Sequence, residues 1–369
     1  MQDTFSVATQ PQTSHLLPMA MRGIESMYDS EKRLFCHRLR KSSEGLHREG
    51  ISQRYTIMTL LGLLRARLAG LQSSVDIEAT IDRLFADTAW IDNVGDLGLL
   101  LWLCASVSKE RLGQFHQSFK LAGALERFPD GRRRSTMELS WFLTGLLKAS
   151  GMEATAELEK LAMETYALVC CNQGESGLFG HLGKWHSIAG VVRGRVGSFA
   201  DQVYPIFAMA HFSQVFRHQE ARDNALGCAR AICSLQGSLG QWWWHYDSVT
   251  GRVVEHFPVY SVHQHGMAPM ALLALEETCG ADFDAHINRG LNWIGGTNEL
   301  HQDLQDSDAG VAWRCIEPPR SNPYAASARV LMGKEPSRGP LHILYECRPY
   351  ELGWLLYALA PASAVALQR

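Results

Sequence analysis

The amino-acid sequence predicts an all-α fold, a single ring of five or six helical hairpins. Three observations lead to this prediction. Helical periodicity runs through most of the chain, whereas alternating strand patterns are sparse. Apolar helices recur after short polar clusters, at spacings of about 40 residues early in the chain and roughly 60 to 90 later, as repeated hairpins would. Amphipathic segments lie between them, as an outer layer that faces solvent requires.

Six strongly apolar segments form the expected inner layer, because a helix that is apolar on nearly every face must be buried. They are predicted at residues 56–68, 97–105, 139–148, 203–212, 266–275 and 352–360. The polar clusters that precede them occupy residues 52–55, 92–96, 135–138, 198–202, 261–265 and 348–351. Ser52, Asn93 and Ser135 are ordinary helix N-cap residues, so capping explains part of this polarity. The larger polar groups beside them are candidates for a shared cavity.

Four charge-decorated segments suit the outer layer of the ring. They lie at residues 77–85, 154–169, 220–234 and 283–293. A short β-hairpin is expected within residues 242–255, where Thr250 and Gly251 provide the corner. We expect one domain over residues 1–369, with a disordered tail at residues 1–13.

A second repeat marks the ends of two outer helices. Gln173 to Phe179 and Gln236 to Trp242 both read Gln-x3-Gly-x-aromatic. The glycine permits the turn after the helix, the aromatic ring can anchor the loop, and the glutamine can bond loop backbone groups.

This motif resembles the repeat of squalene-cyclase and prenyltransferase-type α/α-toroids. Similar loops occur in six-hairpin glycosidases, polysaccharide lyases and uronyl epimerases. Residues 241–246 and 259–265 are similar to toroid proteins encoded in bacterial exopolysaccharide clusters. The resemblance covers about residues 50 to 360 and implies an (α/α)5–6 toroid. It implies much less about the reaction.

Composition and charge exclude several function classes. A net charge of −3 and a pI of about 6.6 provide no basic face for nucleic acid. No apolar run approaches the roughly 18 residues that span a bilayer, and the N-terminus lacks the order of a signal peptide. The nine cysteines are odd in number without CxxC spacing, which indicates reduced core residues in a cytoplasmic protein. No dinucleotide, phosphate-loop or zinc motif is present, so we expect no cofactor and no metal.

Two carboxylates are candidate general acids or bases. Glu138 and Asp201 each stand at the start of an apolar helix. Stabilisation by the helix dipole could retain either residue. Alternatively, apolar walls could raise the carboxyl pKa, as acid–base catalysis near neutral pH requires. A pair of carboxylates across a cavity is also the usual equipment for glycoside hydrolysis.

His263 and His265 form the other candidate catalytic pair. Their spacing of two residues puts them on different sides of a helix, which makes them poor joint metal ligands. Histidine suits proton abstraction and return near neutral pH, although either residue could be structural.

A larger set of residues near the inner-helix starts is expected to bind substrate. Trp243 and Trp244 offer flat faces for sugar rings or isoprenoids, or pack their loop against the ring. Arg54 could hold an anion or pair with Glu351 where the ring closes. The full substrate-binding set is Arg54, Tyr55, Asp96, Trp141, Gln202, Tyr204, Trp243, Trp244, Tyr260, Gln264 and Glu351.

An acidic segment from Asp303 to Asp308 resembles the catalytic motif of class II terpene cyclases. Here it does not precede an apolar helix, because Pro318 and Pro319 follow closely. An acidic surface loop is the preferred interpretation.

Three functions remain open on the sequence alone. The preferred one is a soluble enzyme that acts on a sugar or oligosaccharide, as an epimerase, lyase or hydrolase in exopolysaccharide biosynthesis. The second is an isoprenoid cyclase, which predicts an apolar, aromatic cavity. The third is a non-catalytic toroid that binds glycan or protein. A toroid fold can host all three, and the sequence does not determine an oligomeric state.

Overall fold

The computed structural model describes residues 15–128, 135–182, 194–319 and 339–361, so the expected tail at residues 1–13 lies outside the described residues. The described helices are α1 Leu16–Met27, α2 Gln53–Leu68, α3 Ile77–Ala86, α4 Val94–Val107, α5 Lys109–Ser118, α6 Ala124–Arg127, α7 Thr136–Met152, α8 Ala156–Cys170, α9 Ala200–Phe216, α10 Gln219–Ser234, α11 Ala268–Cys279, α12 Asp284–Ile294 and α13 Pro349–Leu359. A π-helical turn over His263–Met267 leads directly into α11.

The prediction of two helical layers is confirmed. The inner helices α2, α4, α7, α9, α11 and α13 each pack against the next, and α13 closes the ring against α2. The outer helix α1 precedes α2, and α3, α5, α8, α10 and α12 alternate with the inner helices along the chain, with the short α6 just before α7. Because each outer helix returns the chain to the same end, all six inner helices begin at one end of the ring.

Glycines allow neighbouring inner helices to approach closely. A Cβ added to Gly98 in α4 would lie 2.3 Å from Phe142 Cα in α7, and one at Gly145 would lie 2.3 Å from the Gly98 carbonyl oxygen. Likewise, a Cβ added to Gly62 in α2 would lie 2.1 Å from the Gly353 carbonyl oxygen in α13. Backbone contact therefore replaces side-chain interdigitation at these crossings.

The two Gln-x3-Gly-x-aromatic loops have the same geometry. Gln173 Nε2 donates to the Gly177 carbonyl at 2.9 Å and to the Asn224 carbonyl of α10 at 3.3 Å. Gln236 Nε2 donates to the Gly240 carbonyl at 3.0 Å and to the His286 carbonyl of α12 at 2.9 Å. Both glycines have positive φ, and the aromatic residues Phe179 and Trp242 are fully buried. Each loop thus joins one outer helix to the next.

Short strands, which sequence patterns barely indicated, decorate the ring. They are β1 Tyr28–Asp29, β2 Leu34–Phe35, β3 Arg38–Ser42, β4 Gly45–Glu49, β5 Val196–Ser198, β6 His245–Asp247, β7 Arg252–Glu255, β8 Val259–Tyr260, β9 Gln305–Asp306, β10 Val311–Ala312, β11 Cys315–Glu317, β12 His342–Leu344 and β13 Glu346–Cys347. The expected hairpin is confirmed as β6 and β7, with β5 added at its edge. Strand β13 pairs with β3 and so ties the last hairpin to the first.

Aromatic side chains fill the axis of the ring. Trp102 of α4 stacks on Phe207 of α9 at 5.5 Å and on Trp354 of α13 at 5.7 Å, between ring centroids. Tyr357 meets the edge of Trp102 at 5.6 Å. The axis is therefore packed with side chains, and the two ends of the ring are separate surfaces. Among the described residues, no helix is long and apolar enough to cross a membrane.

Candidate functional site

The N-terminal ends of the inner helices form the candidate site, and their caps are as predicted. The Ser52 hydroxyl accepts from the Tyr55 backbone N–H, the Asn93 side chain from Asp96 and the Ser135 hydroxyl from Glu138. The helices start three residues earlier than the apolar runs indicated. Polar residues expected ahead of the helices therefore lie in their first turns, where side chains at successive helices can meet.

Arg54 and Asp96 form a bidentate pair between α2 and α4. Arg54 Nε donates to Asp96 Oδ1 at 2.5 Å, and Nη2 donates to Oδ2 at 2.9 Å. Asn93 donates a further bond to Asp96. Burial raises the pKa of Asp96, which the guanidinium partly offsets. Asp96 is 1% exposed, so its main effect is to hold the half-exposed Arg54 at the mouth of the ring.

Glu138 lies one helix further round the ring, with its carboxyl group near this pair. Its side chain accepts weakly from the Ser135 backbone N–H at 3.5 Å, which completes a capping box. Desolvation raises the pKa of Glu138 to about 7, although Ser135 and the nearby Arg54 charge act in the opposite direction. A carboxyl group with this pKa can donate or accept a proton near neutral pH.

Aromatic rings form the floor beneath these polar groups. The Arg54 guanidinium lies 5.9 Å from the Trp141 ring, and Trp141 meets Tyr204 edge-on at 5.2 Å. The Tyr204 hydroxyl accepts from Trp354 Nε1 at 2.9 Å. Tyr204 is only 3% exposed, which corrects the expectation that it contacts substrate; it packs beneath Trp141 instead.

A cavity of about 260 Å³ opens beside α2 and α4. Its walls include Arg54, Tyr55 and Asp96 from the predicted set. His37 and Trp90 also line it, and neither was predicted, because both lie in connections without helical periodicity. The ring of Tyr55 stacks between His37 at 5.3 Å and Tyr350 at 4.6 Å.

The Asp201 carboxylate is hydrogen-bonded to several groups inside the protein. Its oxygens accept from the backbone of Met137 at 3.2 Å, from the backbone and hydroxyl of Ser198 at 2.9 Å each, and lie 3.1 Å from His181 Nδ1. Gln202 is similarly bonded to both backbone groups of Phe179. Both residues are buried, which corrects the expectation that their side chains line the cavity. The outward group here is His181, which sequence analysis missed.

The two predicted histidines differ from their expected setting. His265 is fully buried, and neither ring nitrogen has a hydrogen-bond partner among the described residues. His263 is 3% exposed and packs against Phe199 and Trp244. Desolvation lowers the pKa of each to about 3, so both are neutral near pH 7. This corrects the expectation that both imidazoles face the cavity. Gln264 is also buried, and its side-chain amide donates to the Tyr260 carbonyl at 3.1 Å.

The tryptophans of the 242–255 loop have separate roles. Trp243 donates from Nε1 to the Leu235 carbonyl at 2.9 Å and packs on His256, which makes it an anchor rather than a cavity wall. Trp244 is partly exposed and packs against Tyr260 at 4.9 Å. The Arg314 guanidinium lies over the Tyr260 ring at 4.8 Å.

The ring closes through a cluster of arginines and carboxylates. Glu351 is fully buried and pairs with Arg314, while its other oxygen accepts from the Arg348 backbone at 3.0 Å. Arg348 donates to the Tyr55 hydroxyl at 2.7 Å and to Glu346 at 2.9 Å. The predicted pairing of Arg54 with Glu351 is therefore wrong, because each has a different partner. The sequence analysis included Arg348 in the last polar cluster without giving it a role, and it missed Arg314, which lies in the short segment between β10 and β11.

The acidic segment Asp303–Asp308 is a surface turn around β9, as the preferred interpretation had it. Among the described residues, one group of acidic side chains is close enough to hold a metal ion, namely Glu276, Asp282 and Asp284. It lies between α11 and α12, at the opposite end of α11 from the candidate site.

Comparisons with known proteins identify the fold. No family model and no curated protein matches the sequence. Solved structures do match. The unsaturated glucuronyl hydrolase of Bacillus sp. GL1 has a TM-score of 0.60 and 13% identity, covering 97% of this chain and 96% of its own. That of Streptococcus agalactiae has a TM-score of 0.62 and 10% identity over 95% and 92%.

A third match is a UGL variant described with dGlcA-Glc-Rha-Glc. Its TM-score is 0.61 and its identity 13%, over 98% of this chain and 97% of its own. At these identities the likeness concerns the fold. The chain has the α/α-toroid fold of six-hairpin glycosidases, along nearly its whole length.

Proposed function

We propose that this chain is a sugar-acting enzyme of the glycoside hydrolase type, with Glu138 as its general acid or base. The observation that carries the proposal is the position of Glu138. A carboxyl group with a pKa of about 7 lies at the mouth of the ring, beside the Arg54–Asp96 pair and above Trp141.

Glycoside cleavage needs a proton on the leaving oxygen, and a carboxylic acid with a raised pKa supplies it. Glu138 is half protonated near pH 7, so it could both give the proton and recover it from water. Asp96 is engaged by Arg54 and remains an unsuitable proton donor. The two carboxyl groups thus have different environments, as acid–base pairs in enzymes do.

The surrounding side chains suit a polar ring-shaped ligand. Arg54 presents a planar set of donors whose direction is held by Asp96. Trp90, Tyr55 and His37 provide aromatic faces for a sugar ring in the adjacent cavity. Trp244 and Tyr260 provide two more aromatic faces near the start of α11. Several of the structural neighbours are glucuronyl hydrolases, which supports the same class of substrate.

The isoprenoid alternative has less support. It requires an apolar cavity along the axis of the ring, but Trp102, Phe207, Trp354 and Tyr357 pack against one another there. The cavity described at the N-terminal end is lined mainly by charged and polar groups, together with Ile51, Tyr55 and Trp90.

The cellular setting is also a proposal. All nine cysteines are free thiols, and six of them are buried, which suits a reducing compartment. We therefore retain the cytoplasm as the expected location. Exopolysaccharide biosynthesis is proposed from the resemblance of residues 241–246 and 259–265 to toroid proteins of bacterial exopolysaccharide clusters.

The test is hydrolysis of a panel of uronic-acid-containing oligosaccharides, with reducing ends measured for the wild type and for Glu138→Gln. Farnesyl diphosphate and squalene serve as the competing panel. We expect the wild type to release sugar and the variant to lose that activity. Glu164→Gln, an exposed carboxylate on α8, is the matched control and should be as active as the wild type. Turnover of isoprenoids alone would refute the proposal, as would full activity of Glu138→Gln.

A further inference from the structure

The opposite end of the ring carries a second cluster of titratable side chains. Each lies in the last two turns of an inner helix: Arg65 in α2, Lys148 in α7, His211 in α9, Glu277 in α11 and Tyr357 in α13. Because the inner helices are parallel, these turns meet around the axis. The aromatic packing of Trp102 and Phe207 separates them from the candidate active site.

Contacts connect the members of this cluster. His211 meets the edge of Phe207 at 4.5 Å, and Phe207 lies 6.0 Å from Tyr357. Lys148 is close enough to Arg65 and Glu277 for their charges to affect it, and it in turn affects His211. Burial, together with the Arg65 charge, lowers the pKa of Lys148 to about 8. The positively charged side chains of Arg65 and Lys148 therefore lie in the same partly buried region.

These cations lack partners among the described residues. Neither Arg65 nor Lys148 forms an ion pair or a side-chain hydrogen bond there, and Arg65 Nε is buried without an acceptor. His211 Nε2 is buried without a partner too. Glu277 is the nearby carboxylate, but it is exposed. With His211 neutral, one positive charge in the cluster remains uncompensated.

The helix dipole explains only part of this arrangement. The C-terminal ends of helices attract cations, and that favours basic residues in the last turns. It does not explain why Arg65 and Lys148 lie close to each other, since within the described part of the chain neither donates a hydrogen bond to a helix carbonyl. Partly buried cations without partners cost free energy unless something compensates them.

We propose that the C-terminal end of the ring, at Arg65, Lys148 and His211, binds the oxyanion group of a small molecule, a phosphate or a carboxylate. Arg65 supplies a planar fork of donors and Lys148 a point charge, which together match such a group. His211 Nε2 could donate a third bond. The site is distinct from the one used in the proposed function and does not depend on it.

The test is calorimetric titration of the full chain with inorganic phosphate, glucose 6-phosphate and glucuronate. We expect at least one to bind, and Arg65→Met and Lys148→Met each to weaken it by about tenfold or more. The exposed Arg67→Met on the same helix should bind as the wild type does. If the Arg65 and Lys148 variants bind as tightly as the wild type does, the proposal is overturned. It is also overturned if the wild type binds none of the three compounds up to about 10 mM.

A second measurement avoids variants that fold poorly. Acetylation of Lys148 in the wild type, followed by peptide mass spectrometry, should slow when the oxyanion is present. The exposed Lys160 is the internal control, whose acetylation should not change. Equal protection of both lysines, or of neither, would overturn the proposal.

Discussion

Glu138 shows how one residue can serve both the helix and the reaction. As the third residue of α7 it completes a capping box with Ser135. The same position desolvates its carboxyl group between α4 and α7, where Gly95 leaves room for it. The local helix signal thus places the group, and the tertiary contact adjusts its pKa.

The first prediction concerns the pH dependence of activity. If Glu138 acts as a general acid, kcat/KM should fall as the pH rises above about 7, because the proton is then lost. Glu138→Gln should lower kcat/KM by at least about a hundredfold. A pH–rate profile of both proteins checks this. A wild-type profile with no descending limb between pH 6 and 8.5 would contradict the acid role.

The second prediction concerns stability and the same group. The folded-state pKa of about 7 exceeds the ordinary value of 4.5, so the native state holds the proton more tightly. The contribution of Glu138 to the free energy of unfolding should therefore fall as the pH rises from about 4.5 to 7. Glu138→Gln should match the wild-type Tm at pH 4 and exceed it at pH 8. Equal Tm values at pH 8 would show that the carboxyl is not desolvated.

The third prediction concerns the Arg54–Asp96 pair. Asp96→Asn leaves a half-buried guanidinium without its bidentate partner. We expect the free energy of unfolding, measured by urea denaturation, to fall by about 2 to 4 kcal/mol. This is near the range for removing one partner of a buried pair. Asp92→Asn is the control, because Asp92 is exposed and lies 3.6 Å from Arg54. It should change stability by less than about 0.5 kcal/mol.

At the scale of helices, close approach depends on glycine. The crossing of α4 and α7 brings Gly98 and Gly145 into backbone contact, and that of α2 and α13 depends on Gly62 and Gly353. Sequence periodicity identified these helices but gave no reason for their glycines. The glycines are needed because neighbouring inner helices lie so close together that a Cβ would overlap the facing backbone.

The fourth prediction follows from this crossing. Gly98→Ala should destabilise the protein by about 1 to 3 kcal/mol, because its Cβ would overlap the α7 backbone. Gly113→Ala on α5 is the matched control, since a Cβ there meets nothing within 4 Å. It should stabilise the helix by up to about 1 kcal/mol. Equal effects of the two substitutions would refute the close packing of α4 on α7.

At the scale of the whole molecule, the ring buries neutral histidines in its wall. His263 and His265 each have a folded pKa of about 3, below the ordinary value of 6.5. The unfolded chain therefore binds protons first as the pH falls. The contribution of these two histidines to stability should therefore decrease from about pH 6.5 towards pH 3.

The fifth prediction isolates one of these groups. His265→Leu should reduce the slope of unfolding free energy against pH by about one proton, or 1.4 kcal/mol per pH unit, between pH 6 and 4. His116→Gln, at an exposed position, should leave the slope unchanged. Denaturation at several pH values provides the measurement. An unchanged slope in His265→Leu would mean that this residue is already protonated in the native state.

The sequence by itself determined the ring. Each inner helix is apolar on nearly every face and each outer helix is amphipathic, so burial alone dictates two layers. The Gln173 and Gln236 loops repeat because the same local bonds are needed wherever one outer helix passes to the next. Ser52, Asn93 and Ser135 cap their helices through contacts three residues away. All of these signals are local, and a sequence displays local signals directly.

Only the tertiary structure decided which polar residues meet. Arg54 pairs with Asp96 rather than Glu351, and the partner of Glu351 is Arg314, which lies outside any helix. Asp201 and His265 are buried away from the cavity, whereas His37 and Trp90 reach it from irregular segments. The physical reason is that side-chain contacts across a ring depend on helix rotation and loop path, which involve residues far apart in the chain.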